Sequence, residues 1–119
     1  MKLCVIAVMS AAILGGTAMT AAAQDAAKIA AGQTAYTTNK CATCHSIKGV
    51  GMKPPTGTAL DTVGAKLTAA DIKKWLTTPA EMEAKLPKKP AVTMSSFLKT
   101  HKLSDADVDS LVAYMQSLK

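Results

Sequence analysis

The chain contains no arginine: its fourteen basic residues are all lysines, set against eight acids for a net charge of +6. Guanidinium forks are the usual means of bidentate contact with phosphates and bases, so their absence argues against nucleic-acid recognition. An all-ammonium surface suits docking to acidic protein partners better. Aromatic residues are nearly lacking too, confined to Tyr36, Trp75, Phe97 and Tyr114. Small domains bury a modest share of their surface, and one with so few large side chains needs a staple such as a metal, disulfides or a bulky apolar group. No segment shows the alternation of a β-strand, and no internal repeat is visible.

What is present begins with an export signal. Lys2 supplies a positive start, Leu3 to Leu14 is an apolar run, and Thr20-Ala21-Ala22-Ala23 offers small residues for cleavage. The run is short for a membrane span and nothing later approaches the required length. Residues 1–23 therefore read as a secretory signal peptide, which removes Cys4, and residues 24–119 as one exported, periplasmic domain without a transmembrane anchor. The mature chain would keep thirteen lysines against eight acids, a net of +5.

Within that domain the pattern is helical. Ala26, Ile29, Ala30, Gln33 and Tyr36 are spaced for a helix over 25–38. Ser46 to Thr58 carries Gly49, Gly51, Pro54, Pro55 and Gly57, a composition that predicts a shaped loop without regular structure. Short helical character is expected over 59–67. Thr68 and Asp71 form a capping box for a helix over 69–77 that buries Ile72, Trp75 and Leu76 and stops before Pro79. Residues 80–93 read mostly as loop, with one turn at 80–85. Ser104 and Asp107 cap a last helix with Val108, Leu111, Val112, Met115 and Leu118 on one apolar stripe. The fold class is all-α, with three to five helices.

The stretch Lys40-Cys41-Ala42-Thr43-Cys44-His45-Ser46 concentrates the chemistry. A redox dithiol would follow a strand of an α/β fold, and here an alanine-rich helix precedes it. A structural zinc would need a fourth ligand, for which His101 is the obvious candidate, in the polar stretch Lys99-Thr100-His101-Lys102. Covalent haem attachment accounts for the spacing directly. Cys41 and Cys44 add across the two vinyl groups of one porphyrin edge, and His45 supplies an axial nitrogen to the iron.

The other axial ligand must come from elsewhere in the chain. Met52 follows His45 too closely, and Met115 belongs to the apolar stripe of the last helix. Met82 and Met94 both remain. Met94 is preferred, because Pro90-Ala91-Val92-Thr93 forms an extended approach to it and Phe97 and Leu98 follow to seal the haem edge. A thioether opposite histidine raises the reduction potential relative to two histidines.

By these residues and their order, the sequence over 24–119 resembles a small bacterial class I c-type cytochrome with one haem. The resemblance implies a cytochrome c-like fold around one covalently bound heme c. The function it implies is single-electron transfer between redox proteins, not catalysis, by a monomer. It also implies that Gly32 and Tyr36 of the first helix cross Leu111 and Tyr114 of the last. The carbonyl at Pro54 or Pro55 would accept the second N–H of His45, and Trp75 would lie near a haem propionate. One position departs from the family: proline usually follows the ligand methionine, and Ser95 stands there, which keeps Met82 as the second candidate. A competing class, a haem sensor or catalytic haem with an open or displaceable sixth position, would follow if that methionine were a weak ligand.

Overall fold

The computed structural model describes residues 21–119; Cys4 and the apolar run of the expected signal peptide lie outside them. The first helix, α1 (Ala21–Thr38), continues upstream of the expected start at Asp25. A 3₁₀ turn, Cys41–Thr43, follows, with Lys40 before it in the left-handed region at φ 56°. Four further helices lead to the last: α2 (Val63–Lys66), α3 (Ala69–Thr77), α4 (Pro79–Glu83) and α5 (Met94–Thr100), then α6 (Asp105–Ser117). Two of the six, α2 and α4, are about one turn long, so the count exceeds the three to five expected only by its shortest members.

Capping chemistry sets the longer boundaries. Asp71 N–H donates to the Thr68 hydroxyl at 3.1 Å, and α3 occupies the span its capping box predicts. Asp107 N–H donates to the Ser104 hydroxyl at 3.1 Å at the start of α6. Pro79 ends α3 as expected and then serves as the first residue of α4, where its missing N–H costs nothing.

The expectation of no regular structure over 46–58 is corrected. Three short strands, β1 (His45–Ile47), β2 (Val50–Gly51) and β3 (Thr58–Ala59), form a patch in the order β2-β1-β3. β2 pairs with β1 antiparallel and β3 pairs with it parallel. Strands of two or three residues are too short to show an alternating pattern, and the glycines and prolines are those of the intervening turns. Lys48 and Gly49, at φ 50° and 77°, make the tight connection from β1 to β2, where two consecutive positive φ values match the strand twist.

α1 packs across α6, and α6 also receives α2 and α3. Gly32 makes the main crossing possible: a Cβ there would run into the Ser110 carbonyl and the Tyr114 side chain. One turn further on, the Tyr36 and Tyr114 rings meet edge to face at 6.1 Å. The expected crossing of Gly32 and Tyr36 with the last helix is thus present. The core cluster joins Ala35, Tyr36, Ile47, Ile72, Leu111, Met115 and Leu118, which covers most of the stripe foreseen on α6. α4 and α5 pack on α3 and on each other, forming a second unit beside this core.

Candidate functional site

The cysteine segment is held almost entirely through its backbone. The Ala42 carbonyl accepts from Met52 N–H at 3.0 Å, that of Cys44 from Thr58 N–H at 3.0 Å, and that of Ser46 from Leu60 N–H at 2.8 Å. The His45 carbonyl accepts the Tyr36 hydroxyl at 3.1 Å. Gly51 sits at φ 102°, and a Cβ on it would strike that same His45 carbonyl, so both its conformation and its clearance demand glycine. The residues between Ser46 and Leu60 therefore form a frame for the turn that carries both thiols and the imidazole.

Cys41 and Cys44 are unbridged and half-buried on this turn. Burial pushes the Cys41 thiol up to about 11; a hydrogen bond from the Cys41 backbone N–H opposes the shift in part, and the nearby Cys44 adds to it least. A redox dithiol needs a readily formed thiolate, so this environment is opposite to that of a thioredoxin-like centre. His45 opens β1 and is also half-buried. Burial lowers its pKa from the ordinary value, with the backbone of Thr58 partly offsetting the effect. Burial thus favours the neutral imidazole, the form in which a histidine binds a metal.

The His45 Nδ1 atom is buried and has no hydrogen-bond partner, so neither the Pro54 nor the Pro55 carbonyl accepts from it. This corrects the expectation for those prolines. The reason lies in the pairing of β1 with β3, which sets His45 opposite Thr58 and not opposite the prolines. The proline turn closes on itself through Gly57 N–H to the Lys53 carbonyl at 2.8 Å.

His101 is drawn away from the thiols. Its ring stacks on Phe97 at 4.2 Å, and its Nδ1 lies 2.9 Å from the Thr100 hydroxyl. Among the described residues, no group of three or more His, Cys, Asp or Glu side chains could hold a metal ion.

The methionines separate by environment. Met115 is buried in the α6 stripe as expected, Met52 is exposed, and Met82 is buried on α4. Met94, the first residue of α5, is half-buried, like Cys41, Cys44 and His45. Trp75 is half-buried and outside the main apolar cluster. The start of α5 was not foreseen in the sequence. Thr93 caps it by accepting from Ser96 N–H at 3.2 Å, a signal weakened by serine in place of the usual glutamate or glutamine of a capping box.

The donor set suits a covalently bound haem. Two thiols share a turn with an imidazole whose burial favours the neutral form, and softer thioethers stand on a separate unit. The site and the helical frame thus define a haem-attachment protein. The family model described as Cytochrome c matches residues 29–119, and the chain belongs to that family. It is a small c-type cytochrome that binds heme c covalently and serves electron transfer, and the Cys41-x-x-Cys44-His45 spacing fits that attachment. No curated protein and no solved structure gives a significant match. Among the described residues, no helix is long and apolar enough to cross a membrane.

Proposed function

We propose that the chain is an exported, periplasmic mono-haem cytochrome that carries single electrons between redox proteins and is not itself an enzyme. In this reading residues 1–23 are removed on export, Cys41 and Cys44 hold the haem through thioethers, and His45 and Met94 are the axial ligands. The haem supplies an iron that accepts and gives up one electron. The protein's part is to hold the ligand atoms still between the two oxidation states. With Nδ1 of His45 turned inward, Nε2 is the nitrogen left for the iron.

The observation that favours Met94 over Met82 is the shared half-burial of Cys41, Cys44, His45 and Met94. The Met82 side chain is instead taken up by protein packing, at 8% exposure. Replacing Met94 by alanine should remove the sulfur-to-iron charge-transfer band of the ferric protein and give a high-spin haem. If Met82→Ala has that effect and Met94→Ala does not, the ligand assignment is wrong. A high-spin ferric spectrum in the unaltered protein would instead favour the sensor class.

Lys48, Lys53, Lys85, Lys88 and Lys89 are all exposed, which suits steering of acidic redox partners. Electron-transfer rates should fall as ionic strength rises; rates indifferent to salt would remove the steering role.

A further inference from the structure

Glu83 is the only charged side chain buried among the described residues, at 6% exposure. Among the described residues, no ammonium lies within ion-pair distance of it. Taking a carboxylate out of water is unfavourable unless its oxygens find donors. Both do, and both donors come from one residue. Ser95 N–H donates to Oε1 at 2.8 Å, and the Ser95 hydroxyl donates to Oε2 at 2.7 Å. Since that hydroxyl gives its proton to Glu83, it acts as acceptor in its 3.1 Å contact with Thr93 Oγ1. Thr93 in turn accepts from Ser96 N–H. Met94 lies between the two residues held, Thr93 and Ser95.

The chain between these points offers no other anchor. Residues 84–92 are all exposed and contain Pro87, Pro90 and three lysines. Their only backbone bonds to neighbours are the last turn of α4, from Ala84, Lys85 and Leu86 back to Ala80, Met82 and Glu83. The paired bonds from Glu83 to Ser95 therefore close this loop at its base.

We propose that Glu83 is a positioning residue for the axial methionine: through Ser95 it clamps the first turn of α5 and sets how readily the Met94 sulfur leaves the iron. This rests on Met94 being the ligand. The Glu83 carboxylate touches no ligand atom; it acts by fixing the backbone on the C-terminal side of Met94, while Thr93 fixes the N-terminal side.

The test is made on haem-loaded protein, with imidazole as the competing ligand. Imidazole should enter the ferric haem about tenfold faster in Glu83→Ala, which removes both bonds to Ser95. Ser95→Ala keeps the amide bond to Oε1 and should fall between that variant and the unaltered protein. Glu83→Gln should restore most of the slow entry, since its amide oxygen can accept from Ser95 N–H and its NH₂ can donate to the hydroxyl. The reduction potential should fall in the order in which imidazole entry rises. A merely structural role would lower thermal stability in these variants without separating their imidazole rates. If Glu83→Ala loads no haem, the Ser95→Ala and Glu83→Gln rates decide alone. Unchanged rates in the variants, with the charge-transfer band lost in Met94→Ala, overturn the clamp and leave the ligand in place. Retention of the band in Met94→Ala overturns both.

Discussion

The cysteine turn and the turn that carries Met94 are held by different means. Around Cys41 to Ser46, four successive or near-successive carbonyls accept from elsewhere in the chain, three of them from backbone amides. Around Met94, the holding groups are the side chains of Thr93, Ser95 and Glu83. A backbone frame changes only when the path of the chain changes. A side-chain frame changes with one substitution, so the first turn of α5 can be altered without disturbing the cysteine turn.

The contrast can be broken most severely at the attachment residues. Removing both thiols, Cys41→Ser with Cys44→Ser, should abolish covalent haem altogether, seen as loss of haem staining on a denaturing gel, because no side chain elsewhere offers the same pair. Next in size is Gly51→Ala. It places a Cβ against the His45 carbonyl in a positive-φ conformation and should cost about 2 kcal/mol or more of stability in denaturant titration. A backbone frame predicts that this one methyl group also lowers haem yield. Thr93→Ala removes the cap of α5 and should cost about 1 kcal/mol, with faster imidazole entry but undiminished haem attachment. That separation of effects is the sharpest check of the comparison, and reduced attachment in this variant would contradict it. Tyr36→Phe deletes the one side-chain hydrogen bond made to the turn over 41–46. It should cost about 1 kcal/mol while leaving haem yield intact, because the backbone bonds persist.

How much could be read from the sequence follows the same division. Cys41, Cys44 and His45 lie within five positions, so a spacing that fits haem attachment is visible in the sequence alone. The helix over 69–77 and the start of the last helix were legible because a cap and its partner lie three residues apart. The β patch was not, since its strands are two or three residues long and their partners are fixed by tertiary pairing. The orientation of His45 was likewise out of reach. The neighbour of its ring depends on whether residue 45 is registered with Thr58 or with a proline, and local composition carries no information on that choice. Glu83 drew no attention, because a glutamate in a lysine-rich segment reads as a solvated charge until Ser95 is brought against it across twelve residues.

The sequence by itself determined that this chain carries a Cys-x-x-Cys-His spacing that fits covalent haem, and that helices make up most of the fold. These properties reside in contiguous motifs and in local periodicity. Tertiary structure alone decided that the cysteine turn is framed by backbone bonds, and that Met82 is buried while Met94 is half-buried. It also decided that a lone buried carboxylate closes the loop before the methionine. Each of these depends on residues distant in the chain meeting at hydrogen-bonding or van der Waals range. That meeting is set by the packing of the whole domain and not by any one segment.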